Sequence, residues 1–511
     1  MRAPALAGAL ALLPWLGVLG HGFVNWDDPS MVHANPVLAL PWGGAVAAAF
    51  GSFHMTSWQP LGWLLYKALL AAGGGSPFPF HAAALALHGF NAALLYAALD
   101  ALLPKVRPEA RLAAVLAWAW HPVHAESVAW VSQLSDLLCG SFVLASLLAL
   151  ARGRVAASYG SAAAAALCRW KALAAPVFAA ALDLHRGVRG RELLRRHAPF
   201  LLVAAVVVAV NARAKASVGY AAALRPHEAA VGLLLQTRKL LWPVGLAPAD
   251  LLDGADNPWG LGPLAALALF ALVAAAVAAA ARRRPAAGWA AGAFIVLLAP
   301  TVLFATPGPV AVLDHHLYLP SLAFVPLLAA GLSPSRLRGA AAALLLLAAA
   351  ALLQSRHWRD SEALWARVLA VRPLSPAARL NLAAARGDEG RLPEALVAVD
   401  EQLALYPRDP LALRLREEIL ARAAAGPGRL ESDAAAWLFE NGRVREATAR
   451  MEAALALAPR DPDLLVNAAI IDATAGRRER ARERLTLALR LSPGRANAAA
   501  ALARLDELER R

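Results

Sequence analysis

Long uncharged apolar runs fill residues 1–354, and they constrain the fold more than any other feature of the sequence. About eleven of these runs approach the length that a helix needs to cross a bilayer core of ~30 Å. Residues 355–511 differ, because Arg, Glu and Asp alternate there with Ala and Leu. The pattern predicts an all-α chain with a polytopic membrane domain at 1–354 and a water-exposed domain at 355–511.

The predicted membrane segments share high hydrophobicity and few charges. They lie at 3–20, 78–102, 109–127, 133–151, 155–169, 171–186, 197–212, 260–281, 286–305, 317–333 and 337–354. Two further apolar segments, 57–72 and 229–246, fit the alternation of sides only as interfacial or re-entrant pieces, which are permitted where protein or water covers the backbone. The first run is interpreted as a membrane helix, and a cleaved signal peptide is the alternative.

The formal net charge of +14 comes in part from basic clusters in the short loops of the first domain. All of these clusters fall on one side if the N-terminus is inside, as the positive-inside rule requires. Topology therefore explains the charge, and no nucleic-acid partner is expected. The richness in Ala and Arg favours a bacterial chain, so we expect an inner-membrane protein with its repeat domain on the outer, periplasmic side.

A period of 34 residues marks the second domain. Pro373 and Pro407 are separated by this interval, as are Pro459 and Pro493. Thirty-four residues is the period of the tetratricopeptide repeat, in which pairs of helices stack into an α-solenoid. A glycine should end the first helix of each pair, an alanine should let the second pack closely, and the proline should follow it.

The first outer loop, 21–77, carries two adjacent carboxylates directly after a membrane segment. Asp28 precedes a proline, so it is interpreted as a helix N-cap, and Asn should replace it with little effect because Asn caps as well as Asp. Asp27 has no such structural explanation, although simple solvation remains an alternative. We therefore expect Asp27 to be the general base or the group that orients the acceptor, with Asp28 beside it.

Several motifs of this chain occur in the order shown by the transmembrane and tetratricopeptide-repeat O-mannosyltransferases, and the chain resembles that family over its whole length. The motifs are Phe23-Val24-Asn25-Trp26-Asp27-Asp28, Trp58-Gln59-Pro60-Leu61, His81 with His88 and Asn91, His121-Pro122-Val123-His124-Ala125-Glu126-Ser127-Val128-Ala129-Trp130, Leu241-Trp242-Pro243 and Tyr318-Leu319-Pro320-Ser321. The resemblance implies a C-type glycosyltransferase fold, a polyprenyl-phosphate sugar donor, and transfer of mannose to a hydroxyl of a protein or glycan acceptor, with the repeats binding the acceptor or another partner.

Phosphate is the leaving group in such a reaction, so cations and imidazoles should stabilise the charge that grows on it. The candidates are Lys171, Arg238, Lys239, His315, His316, His121 and His124. Each has a plainer alternative: Lys171 as a snorkelling side chain, the Arg238/Lys239 pair as a membrane-surface anchor, and the 121/124 histidines as a structural turn. No cofactor is expected, and a divalent metal is left open because two histidines and one carboxylate make a weak signature.

This sequence departs from the family at two places. Gln133-Leu134 stands where a basic pair is expected, and His315 stands where an arginine is expected. Imidazole is only partly charged near neutral pH, so it does not fully replace guanidinium. A catalytically degenerate scaffold that binds proteins through its repeats is therefore the main alternative to an enzyme, and a transporter is a third possibility.

The side of the membrane on which the repeats lie can be tested directly. A reporter enzyme that works only outside the cytoplasm, fused after Arg511, should be active because the basic loops place the tail outside. A normally expressed but silent fusion would contradict the predicted topology.

Overall fold

The computed structural model describes residues 2–216, 223–224, 226–248, 251–252, 263–305, 310–423 and 426–510. The chain divides into two compact units, Met1–Val371 and Arg372–Arg511. Composition alone placed the boundary after residue 354. Trp358 and Trp365 follow that point, and both are buried against tryptophans of the first unit, which explains why the segment that carries them packs there.

Helices make up nearly all of the described part of the first unit. The α-helices are α1 Arg2–Ala11, α2 Pro36–Ala39, α3 Trp42–Gly51, α4 Pro60–Gly73, α5 Phe78–Leu102, α6 Pro108–Ala119, α7 Ala125–Ala129, α8 Leu134–Ala151, α9 Val155–Ala166, α10 Ala174–His185, α11 Gly190–Ala216, α12 Pro226–Leu241, α13 Pro263–Arg283, α14 Pro285–Leu303, α15 Val325–Gly331, α16 Pro334–Ser355 and α17 Ser361–Val371. Tighter 3-10 turns lie at Leu13–Gly20, Pro122–His124, Val131–Gln133, Trp170–Leu173, Asp314–Leu317, Pro320–Phe324 and Arg356–Trp358, and a π-helical turn lies at Pro29–His33.

Four two-residue strands accompany these helices in the described ranges. Strand β1, Ala223–Leu224, pairs antiparallel with β3, Phe304–Ala305. Strand β2, Leu251–Leu252, pairs in the same way with β4, Val310–Ala311. The strands are too short to change the all-α class.

Four helical segments within the described ranges are long and apolar enough to cross a membrane. They are Phe78–Leu102, Val131–Ala151, Gly190–Ala216 and Pro334–Trp358, and α1 with the turn after it forms a fifth candidate bent by 52°. The predicted runs 109–127, 155–169 and 171–186 give helices of only 12 residues each, α6, α9 and α10. A 12-residue helix spans about 18 Å, less than a bilayer core. The count of eleven spans stays a prediction.

Helix α5 packs against α1 and α8 in the core of the first unit. Its approach to α1 is close, because a Cβ added at Gly8 would lie 2.7 Å from the carbonyl oxygen of Gly89. Small residues permit such contacts between membrane helices. Asn91 on α5 donates to the Tyr318 hydroxyl at 3.1 Å, and Ser141 on α8 donates to Asn91 at 2.6 Å. This buried network fixes the segment around residue 318 against both helices.

The second unit consists of stacked helix pairs, as the repeat period predicted. Its helices are α18 Pro376–Asp388, α19 Leu392–Leu405, α20 Pro410–Ala421, α21 Pro427–Glu440, α22 Val444–Leu457, α23 Pro462–Thr474, α24 Arg478–Leu491 and α25 Ala496–Arg510. Gly442 and Gly476 adopt positive φ angles of 76° and 80° between the helices of a pair, a conformation that favours glycine. Ala447 and Ala481 are fully buried, so the predicted close packing of the second helices is confirmed.

Candidate functional site

Asp28 ties the first outer loop to the turn before α8. Its side chain is 1% exposed, and one carboxylate oxygen accepts the Val24 N–H at 3.0 Å. The other oxygen accepts the Ser132 N–H at 3.0 Å and the Ser132 hydroxyl at 2.5 Å. The N-cap interpretation was wrong: Asp28 has helical backbone angles and makes no capping bond, so its side chain bonds outside the turn that follows it. Burial raises the pKa of this carboxyl to about 7, against the opposing effect of the three hydrogen bonds.

Asp27 is placed differently although it is the adjacent residue. It is half-buried, and within the described ranges its carboxylate accepts no hydrogen bond. Burial raises the pKa of Asp27, the positive charge of Arg169 lowers it, and the negative charge of Glu126 raises it again. A carboxylate with a raised pKa and no partner is suited to accept a proton from a bound molecule.

Arg169, whose charge acts on Asp27, belongs to a buried cluster of three charges. Asp136, at 2% side-chain exposure, accepts a hydrogen bond from Arg169 Nε at 2.8 Å on one oxygen and is paired with Lys171 on the other. Arg169 also donates to Gln59 Oε1 at 2.8 Å. The ammonium of Lys171 donates to the carbonyl oxygen of His315 at 3.3 Å, so this lysine is buried and paired and does not snorkel.

The segment 312–316 is held from two sides. Glu126 accepts hydrogen bonds from the His315 ring and from the Asp314 N–H, the latter at 3.1 Å. Lys239 on α12 is fully buried and donates to Asp314 at 2.8 Å and to the carbonyl oxygen of Val312 at 2.5 Å. Lys239 therefore fixes the backbone of this segment, and it does not line the cavity described next.

An apolar cavity of about 360 Å³ opens beside Lys171. Its walls come from the turn Trp170–Leu173, from helices α10, α11 and α14, and from the segment 316–320. Its lining residues are Trp170, Lys171, Leu173, Ala174, Pro176, Val177, Ala180, Leu201, Ala204, Val296, Leu297, His316, Leu319 and Pro320. Lys171 and His316 are the two ionisable side chains of this lining, and the other lining side chains are apolar.

The two histidines at 315 and 316 have a lowered pKa, which favours the neutral imidazole. Burial is the largest cause that lowers the pKa of His315 well below its usual value, and the positive charge of Lys171 adds to it. Burial likewise lowers the pKa of His316, followed by the effect of His315. The Nδ1 atom of His316 is buried and has no hydrogen-bond partner within the described ranges. These imidazoles can offer a hydrogen bond, but they do not supply the positive charge of an arginine.

The remaining predicted site residues lie outside this cluster. Arg238 donates to the carbonyl oxygen of Val244 at 3.4 Å. His121 donates to Leu240 at 3.0 Å and caps the following turn, and His124 packs against Trp118 and Tyr318, as a structural role predicts. In the described ranges no group of three or more His, Cys, Asp or Glu residues is arranged to hold a metal ion.

Sequence reasoning missed Arg169, Asp136 and Glu126 as site residues. A signal was present for two of them: Asp136 lies in the predicted span 133–151, and Arg169 closes the predicted span 155–169. Ionisable residues in membrane segments usually pair with one another, so an acid and a base in adjacent spans indicate a buried ion pair.

This chain is similar to a repeat family and to several named proteins. A family model described as a tetratricopeptide repeat matches residues 438–505. Protein O-mannosyl-transferase Tmtc2 of Drosophila melanogaster is 32% identical over 205 residues, which cover 36% of this chain and 22% of that protein. The human Protein O-mannosyl-transferase TMTC1 is 33% identical over 158 residues, covering 28% of this chain and 18% of that protein.

These matches confirm the resemblance to the transmembrane and tetratricopeptide-repeat O-mannosyltransferases for about a third of this chain, and its extension over the whole length stays a prediction. The chain spans about a fifth of the length of these relatives. Among solved structures, the Cut9–Hcn1 hetero-tetramer aligns with 86% of this chain and 91% of its own at 12% identity, with a TM-score of 0.19. That score is too low to indicate a common overall fold.

The sequence predicts that replacing Asp28 with Asn has little effect, but the hydrogen bonds of Asp28 predict a destabilising effect. Asp28→Asn should loosen the first loop by ~1–3 kcal/mol, because an amide nitrogen would face the N–H of Val24 or of Ser132 and leave it unpaired. Hydrogen exchange of the amides of Val24 and Ser132 should become faster. Asp461→Asn is the matched control, since Asp461 is a true N-cap that accepts from Asp463 at 2.8 Å, and Asn caps as well. Equal, small effects of both substitutions would contradict this role of Asp28.

Proposed function

We propose that this chain is an integral membrane glycosyltransferase that moves a sugar, mannose by analogy with its named relatives, from a polyprenyl-phosphate donor to a hydroxyl on the outer face. The observation that carries the proposal is one juxtaposition. The carboxylate of Asp27 accepts no hydrogen bond from the described residues, and the positive charge of Arg169 acts on it. Arg169 in turn shares Asp136 with Lys171, which lines an apolar cavity. A base, two cations and a hydrocarbon pocket are the parts that a lipid-phosphate sugar transfer requires.

The cavity suits the donor on chemical grounds. Its walls are apolar, as isoprenoid units require, while Lys171 and His316 lie where a phosphate could be bound. The ammonium of Lys171 would attract the phosphate charge, and the unpaired Nδ1 of His316 could form a hydrogen bond with a phosphate oxygen. Both contacts would strengthen as negative charge builds on the leaving group.

The transfer step then follows from the placement of the carboxylate. The acceptor hydroxyl gives its proton to Asp27 while its oxygen forms a bond to the anomeric carbon of the sugar. The bond from that carbon to the phosphate oxygen breaks, and its electron pair stays on the phosphate. Lys171 and Arg169 stabilise this product charge, which compensates for the family's basic residues that are absent at 133–134 and 315.

The repeats are proposed to bind the acceptor protein or another protein partner. Stacked helix pairs leave an extended face free for an unfolded segment. We propose a location in the bacterial inner membrane with the N-terminus inside and the repeats outside, because the basic loops then all face the cytoplasm.

The first test concerns Asp27 as the general base. Asp27→Asn should lower the rate of sugar transfer by ~10²–10⁴-fold, because the amide keeps the shape but cannot take the acceptor proton. Binding of the lipid donor should be retained. Transfer is measured with purified full-length protein and radiolabelled polyprenyl-phosphate sugars, with Asp461→Asn as the control. Normal transfer by Asp27→Asn would exclude this base, and a wild-type protein that transfers no such sugar would favour the scaffold.

The second test is the phosphate contact. Lys171→Met should raise the KM for the donor and lower kcat, with a combined loss of ~10²-fold or more, because a charge that stabilises the leaving phosphate is removed. Lys67→Met is a matched control: Lys67 is also 9% exposed, but it donates to the backbone oxygens of Leu38 and Leu40, away from the cavity. Similar losses in both variants would point to misfolding and against phosphate binding at Lys171.

A further inference from the structure

The segment that follows the last candidate membrane helix touches the first outer loop through three hydrogen bonds. Gly22 N–H donates to the carbonyl oxygen of Arg359 at 2.8 Å. Asn25 N–H donates to the Ser361 hydroxyl oxygen at 2.9 Å. In the opposite direction, the indole N–H of Trp365 donates to Asn25 Oδ1 at 2.6 Å. The backbone and the side chain of Asn25 are thus both held by α17, two residues before Asp27.

A ladder of four tryptophans reinforces these hydrogen bonds. Trp358 stacks on Trp130 with ring centroids 5.3 Å apart, and Trp130 stacks on Trp26 at 4.7 Å and 17°. The ring of Trp26 also packs against the ring of Trp365, with centroids 5.7 Å apart. The ring of Trp26 therefore lies between a tryptophan of the α7 end and one of α17, which limits the conformations open to the residue before Asp27.

We propose that Asn25, Trp26, Ser361 and Trp365 form a clasp that positions Asp27 for proton transfer. These four are positioning residues, because the base acts on the acceptor and the clasp acts only on the base. The proposal rests on the proposed function, in which Asp27 is that base. Helix α17 follows the candidate membrane helices and lies outside the membrane domain 1–354 that the sequence predicts. In this proposal it is nevertheless part of the catalytic site.

The neighbouring contacts support a positioning role. Asp28 fixes the far side of the loop to Ser132, while the Asp27 carboxylate has no hydrogen bond of its own within the described ranges. The position of Asp27 is therefore set by the contacts of the residues on either side of it. On the C-terminal side this is Asp28, and on the N-terminal side it is the clasp. Arg367 on the same helix donates to the carbonyl oxygen of Leu246 at 3.1 Å, which anchors α17 independently of the loop.

The test uses the full-length protein with Trp365→Phe and Ser361→Ala. The first change removes the indole N–H but keeps an aromatic ring against Trp26, and the second removes the acceptor of the Asn25 N–H. Matched controls are Trp437→Phe and Ser375→Ala in the repeats, where Ser375 accepts from the Ala378 N–H at 3.3 Å. Hydrogen exchange of residues 22–28 should become ~5–10-fold faster in the clasp variants and stay unchanged in the controls.

Two kinetic readouts separate positioning from a general loss of structure. The clasp variants should lose ~5–10-fold in kcat with an unchanged donor KM, because the donor pocket is untouched. The acid limb of their pH–rate profile should move to lower pH, since a looser loop hydrates Asp27 and reduces the effect of burial that raises its pKa.

The outcomes are distinguishable. Unchanged exchange at 22–28 in both clasp variants would overturn the clasp whatever the activity, and so would faster exchange with an unaltered kcat and pH profile. A wild-type protein without transfer activity would overturn the proposed function, and with it the catalytic role of the clasp. In that case the exchange measurement would still establish whether α17 holds the loop.

Discussion

The carboxylate of Asp136 brings the separate pieces of this site together. It lies on α8, while its partners Arg169 and Lys171 come from the segment that leads into α10. Removing the carboxylate would leave two buried cations without a counter-charge, a change that typically costs ~3–5 kcal/mol. Because Arg169 also reaches Gln59 and Lys171 reaches the backbone of His315, four distant parts of the sequence meet around one negative charge.

Asp27, Asp28 and Asp136 have three different environments. Asp136 is neutralised by two cations, and Asp28 is saturated by N–H and O–H donors. Asp27 accepts no hydrogen bond and forms no ion pair with the described residues, which is why we propose it as the general base. Arg169 links these environments, because its charge opposes the effect of burial on Asp27. A site that transfers a sugar from phosphate needs such a separation, with a proton acceptor on one side and fixed positive charge on the other.

The sequence predicted those features that depend on local periodicity. The helix pairs of the repeats, with Gly442 and Gly476 between helices and Ala447 and Ala481 buried, followed from a 34-residue period. Several helices are shorter than the apolar runs that predicted them. A turn that contains Pro122 follows the end of α6, and a turn at the charged pair Arg169/Lys171 separates α9 from α10. Asp28 was misread, since its partner Ser132 lies 104 residues away. The pairing of Asp136 with Arg169 bridges 33 residues and likewise has no local signal beyond a charge in an apolar run.

The position of α17 has a consequence for how such chains can be recombined. A cut chosen by composition, after residue 354, would separate Trp365 and Ser361 from the loop residues that they hold. A cut after Val371, where the compact unit ends, would keep them together. Chimaeras that exchange repeat arrays between relatives should therefore carry this helix with the membrane part, and the seam between modules lies one helix later than hydropathy indicates.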